Sequence, residues 1–379
     1  MGPENRFPSI DHLRQKAKRR IPHFAWEYLD SGTGADRAMA ANRQALEDVR
    51  FDQTILQGTI AAELGTRILG QDFARPIGIA PVGSSGMIWP GAEAALARLA
   101  ADAGIPYTLS TVATRTPEEI GPITAGNGWF QLYALGNHAA QDDVLRRAAD
   151  AGFRTLVLTV DVPMSSRRER QRRAGFTMPP RISAAMFAQM ITSPAWLMGI
   201  ARHGKPKFKT LAQYIPAKNL ADVTRRMAKD LHPQPDWTIL DRLRAAWNGP
   251  IVFKGILNPM DAKKARDLGV DAVWVSNHGG RQLDAAHPAL KQLPLIRAAV
   301  GPEYPLIFDS GIRSGLDVAR ALALGADMVM AGRPFFYGLG AMGDAGAAHV
   351  LALLEDDLRN AMGQIGTNTI AGLKEACCR

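Results

Sequence analysis

With 379 residues, 46% of them hydrophobic and 21% charged, the chain can bury a large core without disulfide staples and falls outside the largely disordered class. Its formal net charge of +9 points to an anionic ligand, substrate or surface. Nucleic acid is the weakest of these partners, because zinc-finger spacing, an RNP-like aromatic motif and a basic helix interleaved with aromatics are all missing.

At the N-terminus, Arg6, Asp11, Lys16, Lys18, Arg19 and Arg20 leave no apolar stretch for a signal peptide. Arg6 also stands where a myristoylation signal has Ser or Thr. The two cysteines, Cys377 and Cys378, are adjacent at the other end, a spacing useless for a metal or a structural disulfide and consistent with a reducing compartment. A cytoplasmic location is expected.

Beyond an N-terminal helical segment, short apolar runs recur: 76-PIGIAPVG, 106-PYTLST, 128-GWFQLY, 155-TLVLTVD, 250-PIVFKG, 272-AVWVSN, 305-PLIFDS and 328-MVMAGR. They are continuously apolar rather than alternating, as strands buried on both faces are. Helical spacing fills most intervals, for example 92–103, 141–151, 259–268 and 315–324, several closing on glycine (Gly104, Gly152, Gly269, Gly325). Eight such βα units predict one (β/α)8 TIM barrel domain over residues 1–379, with a long insertion, 175–232, after strand 4.

Within that insertion, residues 182–201 are uncharged and contain Met186, Phe187, Met190, Ile191, Trp196, Leu197 and Met198; Arg202, Lys205, Lys207, Lys209 and Lys218 follow. Gln189, Thr192, Ser193 and Pro194 make a poor membrane-spanning helix. An interfacial segment suits the pattern better, apolar side in lipid and lysines on head groups, each basic residue contributing about 1 kcal/mol on an anionic leaflet. A lid on the barrel or a subunit contact is the alternative.

Every predicted strand ends in polar or glycine residues: Pro81-Val82-Gly83, Ser110-Thr111, Gln131 to Tyr133, Thr159 to Asp161, Lys254, Ser276 to His278, Asp309-Ser310-Gly311 and Gly332-Arg333. In this architecture the loops after the strands build the active face. Gly311 and Arg313 after strand 7, with Gly332 and Arg333 after strand 8, form a candidate phosphate cradle of exposed backbone N–H groups and forked cations. After strand 6, 276-SNHGGRQLD places His278 three residues from Arg281, an arrangement suited to taking a proton from a bound anion.

That last motif resembles the signature of the FMN-dependent 2-hydroxy-acid oxidase and dehydrogenase family. IAPVG, LSTVAT, FQLY, LTVD, VFKG and the DSGIR…GRP pair follow in the family's order, so the resemblance covers nearly the whole chain, closest in pattern to the bacterial quinone-type L-lactate and mandelate dehydrogenases. It implies FMN as cofactor and His278 as the base acting on the substrate's 2-carbon or hydroxyl. Asp161 would orient and charge-stabilise the imidazole. Arg281 and Arg168 would hold the substrate carboxylate with Tyr28, and Tyr133 would sit by the substrate hydroxyl. Lys254 would face the flavin N1–O2 edge. Pro81, Val82, Gly83, Ser110, Gln131, Thr159 and Ser276 would contact the ring or ribityl chain, and Asp309 the ribityl hydroxyls. Each role has its own physical reason: guanidiniums capture carboxylates in pairs of bonds, a base needs a partner favouring its charged form, and a cation stabilises an anionic reduced ring.

Within the family, Val112 stands where glycolate oxidase has tryptophan, and Ser165 is also small, which points to a substrate larger than glycolate. Gly83 and Ser310 are shared with the membrane-associated bacterial dehydrogenases. The expected reaction is oxidation of a small L-2-hydroxy acid, lactate- or mandelate-like, with electrons passed to a quinone at the inner face of the cell membrane, in a homotetramer and without metal. The alternatives are a soluble oxidase forming hydrogen peroxide, a non-redox FMN barrel isomerase on a phosphorylated substrate, and a non-catalytic binding barrel.

Overall fold

A computed structural model describes residues 2–175, 183–214 and 235–378. Eight parallel strands close into a barrel in chain order: β1 Ile77–Ile79, β2 Tyr107–Ser110, β3 Gly128–Leu132, β4 Thr155–Thr159, β5 Ile251–Ile256, β6 Ala272–Val275, β7 Leu306–Phe308 and β8 Met328–Ala331. The ring shuts where β8 pairs with β1, Val329 opposite Ile77. Helices coat the outside, so apart from the half-buried Gly255 every strand residue is buried. Two covered faces are the reason these runs read as unbroken apolar sequence. The (β/α)8 expectation holds, with all eight strands where the apolar runs put them.

The barrel is packed through its axis. Trp129, Val157, Val252, Ala272, Trp274, Ile307, Met328 and Met330 fill its interior. A hairpin, Thr66–Ile68 with Gln71–Phe73, stoppers the N-terminal end by adding Ile68 and Phe73 to that cluster. Gln71 secures the stopper: its Oε1 accepts from Trp129 Nε1 at 3.1 Å and its Nε2 donates to the Gly126 carbonyl at 3.1 Å. With one end sealed, ligand chemistry is confined to the strand C-termini.

One helix starts earlier than its spacing implied. It runs His138–Asp150, because Asn137 caps it by accepting from Ala140 N at 3.1 Å. At the chain's end, Cys377–Cys378 pairs antiparallel with Arg50–Phe51, so the cysteine pair serves backbone pairing.

The N-terminal helices Ile10–Lys18 and His23–Asp30 lie against the helix after β8, Arg333–Met342. Asp30, 2% exposed, ties them together: it accepts from Arg14 Nε at 2.7 Å, Tyr337 Oη at 2.8 Å and Arg170 Nη2 at 3.1 Å. Burial alone would raise its carboxyl, but these bonds outweigh burial and hold it well below the usual range. Its contribution is therefore fully present above the unfolded value of about 3.9 and disappears as pH falls below it. Asp30→Ala is expected to remove about 3 kcal/mol of stability, the low end for breaking a buried pair, since Arg14 is 41% exposed. Melting curves against pH should show the variant destabilised at pH 7 and converging on the parent in acid; parallel curves would count against it.

The described part of the insertion divides its apolar residues between two surroundings. Helices Ala184–Ile191 and Pro194–His203 meet at 95°. Met186 and Trp196 are buried on the barrel, with Trp196 Nε1 donating to the Met87 carbonyl at 2.9 Å, and Met190 is half-buried. Phe187, Ile191, Leu197 and Met198 are exposed. Of the apolar residues that the sequence assigned to an interfacial segment, these four are the exposed ones, because helical spacing sends Met186 and Trp196 inward. Lys209 bonds Glu119 at 2.6 Å, which takes it off the basic face, while Arg202, Lys205 and Lys207 stay exposed. Lys218, Ile182 and the flanking positions 176–182 and 215–234 lie outside the described residues. Among the described residues no single helix is long and apolar enough to cross a membrane.

Candidate active site

A cavity of about 950 Å³, counting its open mouth, occupies the C-terminal end of the barrel. Its lining takes in every candidate catalytic or binding residue except Asp161 and Ser276, and those two bond to lining residues. All eight strands feed the one cavity.

At its centre, His278 Nδ1 lies 3.0 Å from Asp161 Oδ1 and 3.2 Å from Oδ2. A carboxylate can only accept, so Nδ1 carries the proton and Nε2 keeps its lone pair. Burial pushes the imidazole below its ordinary value, and Lys254 and Arg168 push the same way against the opposing pull of Asp161. The ring is consequently neutral at neutral pH and able to accept a proton. Burial would raise Asp161, but the His278 contact and the Lys254 charge hold it below the usual carboxylate range.

Asp161 reaches that position because of Gly255. The glycine interrupts the β5–β6 ladder with a register shift and adopts φ +106. A Cβ there would stand 2.5 Å from Asp161 Cβ, so any side chain would expel the carboxylate. Sequence reasoning passed over Gly255; an isolated glycine inside a strand is the signal that a bulge or close approach is present.

Lys254, 4% exposed, is held by Ser276 Oγ at 3.0 Å and Asp309 Oδ2 at 3.0 Å over the face of Trp274, 5.0 Å from its centroid. Along the adjoining wall, Ser110 Oγ donates to Gln131 Oε1 at 2.9 Å and Gln131 Nε2 donates to Thr159 Oγ1 at 2.9 Å. These bonds fix which way the amide and hydroxyls face.

Arg168 and Arg281 stand near the mouth, with no carboxylate partner among the described residues. Arg168 Nε bonds Ser166 Oγ at 2.9 Å, and Arg281 Nη1 donates to the Ser31 carbonyl at 2.8 Å while its guanidinium stacks 5.3 Å from the Tyr28 ring centroid. Tyr28 Oη donates to the Gly83 carbonyl at 3.0 Å. Burial and the neighbouring charges of Arg168 and Arg333 press Arg281 well below its ordinary value, a strain that an arriving anion would relieve. Burial, with the Asp161 charge, raises the Tyr133 hydroxyl, so Tyr133 is a neutral donor. The carbonyls of Leu29 and Ser31, which accept from both Arg281 and Arg333, had no legible signal, because any residue carries a carbonyl.

Gly311, Arg313, Gly332 and Arg333 line the same cavity at the start of the helix Arg333–Met342, whose free N–H groups favour an anion. Arg313 stacks on Tyr337 at 5.5 Å. Arg333 lines the cavity, yet its donors are directed at the carbonyls of Leu29, Gly279 and Ser31. An anion-holding end, a wall of fixed hydroxyl and amide groups and a buried lysine match the phosphate, ribityl chain and ring of FMN.

The FMN-dependent dehydrogenase family profile matches residues 17–379. The chain belongs to that family. This FMN-dependent dehydrogenase is 39% identical over 371 residues to the L-lactate dehydrogenase of Caulobacter vibrioides (strain NA1000 / CB15N), covering 97% of this chain and 96% of the relative. It is 40% identical over 362 residues to the L-lactate dehydrogenase of Pectobacterium atrosepticum, covering 95% and 94%. Among solved structures it resembles the monotopic membrane protein (S)-mandelate dehydrogenase, with TM-score 0.92, 33% identity and 98% of each chain covered. A mandelate oxidase gives TM-score 0.82 at 35% identity, again over 98% of each chain. The protein is an FMN-dependent 2-hydroxy-acid oxidoreductase of the lactate and mandelate dehydrogenase type.

Proposed function

We propose that this barrel, one unit over residues 1–379 with 175–232 as its insertion, oxidises a small L-2-hydroxy acid, lactate- or mandelate-like, to the 2-oxo acid. The electrons would go to a quinone at the inner face of the cell membrane. The observation that carries the reading is the His278–Asp161 pair sharing a cavity with Arg168 and Arg281, two guanidiniums that have no carboxylate of their own among the described residues. FMN, when bound, would supply the acceptor for the electron pair that the 2-hydroxy acid gives up.

The chain's own groups do the rest. Arg281 and Arg168 bind the substrate carboxylate by charge-assisted bonds, and Tyr28 and Tyr133 orient the 2-carbon toward His278. Nε2 of His278 takes one proton, from the 2-carbon or the hydroxyl, and Asp161 stabilises the imidazolium formed; the substrate's second hydrogen leaves with the electron pair or as a proton to solvent. Lys254, anchored by Asp309, supplies positive charge beside the ring. Gly83, with Pro81 and Val82, Ser110, Gln131, Thr159, Ser276 and Asp309 hold the ring and ribityl chain; Gly311, Arg313, Gly332 and Arg333 hold the phosphate.

The exposed Phe187, Ile191, Leu197 and Met198 with Arg202, Lys205 and Lys207 support contact with an anionic leaflet, and the monotopic mandelate dehydrogenase is consistent with it. A homotetramer is carried from the family resemblance alone. The likeness to mandelate oxidase favours a second reading, transfer to oxygen. The deciding measurement is peroxide formed per substrate consumed, with and without a quinone acceptor. Stoichiometric peroxide with no quinone turnover would defeat the dehydrogenase reading.

Pocket width is set where Gly83 faces Val112. A Cβ at 83 would lie 2.7 Å from Val112 Cγ2 and 3.4 Å from the Tyr28 hydroxyl. Gly83→Ala is expected to lower kcat/KM for mandelate about ten-fold relative to lactate, since a methylene in a pocket is worth about 1–3 kcal/mol. An unchanged ratio would place the substrate elsewhere.

A further inference from the structure

The backbone that presents His278 is in a conformation its own residue disfavours. His278 has φ +58, followed by Gly279 at +65 and Gly280 at +75. The glycines take this left-handed run freely, whereas a residue with a Cβ is penalised by about 1–2 kcal/mol. Something outside the loop must hold the turn closed.

The restraint comes from β7's end. Ser310, 6% exposed, lies with its hydroxyl under the loop. Its Oγ accepts from Asn277 N at 3.3 Å and from Gly279 N at 3.2 Å, and donates to Asp309 Oδ1 at 2.8 Å. One proton and both lone pairs are all used. The two N–H groups are the neighbours of His278 on either side, and His278's own N–H is taken by Ser276 Oγ at 3.0 Å. Ser310 is itself left-handed, φ +91, a conformation glycine would adopt without strain. A serine there is disfavoured by backbone sterics, so its presence points to a use for the hydroxyl.

We propose that Ser310 is a positioning residue for the base: its hydroxyl clamps the peptide N–H groups on both sides of His278 and so keeps the imidazole seated on Asp161. The proposal rests on the reading of His278 as the base. Through Asp309, which also holds Lys254 and accepts from Ser276 Oγ, the clamp joins the base loop to the buried lysine. One hydrogen-bonded unit thus sets the spacing between the proton acceptor and the cation beside the ring.

The groups facing His278 are Asp161 at the end of β4, Arg168 in the loop after it, Lys254 on β5, and Arg281, Tyr28 and Tyr133 across the cavity. Among the described residues only Asp161 is an anion in contact, so loosening the loop removes the partner that favours the charged ring. The His278 midpoint then falls.

The test uses the FMN-loaded enzyme with Ser310→Gly, which removes the hydroxyl and relieves the backbone, and Ser310→Ala, which removes the hydroxyl alone. Two readouts are taken: the titration of His278 by NMR of histidine-labelled protein, located by loss of its signal in His278→Asn, and the anaerobic bleaching rate with lactate or mandelate. Both Ser310 variants are expected to lower the His278 midpoint. Both should slow bleaching by about 10- to 100-fold, as a misplacement near 1 Å can, with half-saturation changed less than about two-fold. Ser310→Ala alone should also melt earlier. A Ser310→Gly enzyme with parental midpoint and bleaching rate overturns the clamp, as does impairment confined to Ser310→Ala. If the parent enzyme is bleached by no 2-hydroxy acid, the functional reading fails, while the NMR midpoint still decides the clamp.

Discussion

His278→Gln is expected to slow substrate oxidation by about 10³-fold, within the range of roughly 10²–10⁴ that a positioned base contributes, while the protein remains yellow. Glutamine occupies similar space and can still donate to Asp161, so the loop and cavity should survive. What it lacks is a lone pair that becomes a cation on taking the substrate's proton. The pH dependence sharpens the expectation. Burial lowers the imidazole, and the active form is the neutral ring, so the parent's rate rises with pH through a midpoint below the ordinary value of about 6.5. That acid limb should vanish in the variant. Stopped-flow flavin reduction across pH measures both quantities. A variant within ten-fold of the parent, with the same limb, would remove His278 from the chemistry.

Arg281→Met is expected to lower kcat/KM by about 10²- to 10³-fold, corresponding to about 3–4 kcal/mol for truncating a buried, hydrogen-bonded charge pair. The fold should tolerate the change: Arg333 bonds the same two carbonyls, Leu29 at 3.0 Å and Ser31 at 2.9 Å, so neither loses its only donor. Charge recognition predicts a specific pattern. The penalty should be large for a 2-hydroxy carboxylate and nearly absent for the corresponding 2-hydroxy amide, which brings no negative charge to the site. Equal losses for both substrates would mean that Arg281 serves the fold and does not bind the carboxylate.

The strands and the site's cast were legible because burial and chemistry leave marks on residue type. A strand covered on both faces must be apolar throughout, so 155-TLVLT and 272-AVWV announced themselves. Chemistry at the strand ends needs polar groups at or just past the last apolar residues, so Thr159, Lys254 and Asp309 did too. The insertion was less legible. Its composition could not reveal that Trp196 and Met186 turn inward while Phe187 and Met198 remain outside, because that depends on how the helix pair is seated against the short helix Ser85–Ile88 at Met87.

By itself, the sequence determined the barrel through local periodicity, marked the polar side chains at the strand C-termini through residue chemistry, and pointed to the flavin family through the resemblance of its ordered motifs. Tertiary structure alone decided how those side chains are aimed. Gly255 matters only because Asp161, nearly a hundred positions away in the chain, needs its space. Ser310 matters only because β6 and β7 are neighbours in the closed ring. Arg281 and Arg333 share the carbonyls of Leu29 and Ser31 only because the N-terminal segment crosses the mouth. Hydrogen-bond direction and steric exclusion act over a few ångströms in space, and distance along the chain carries no record of them.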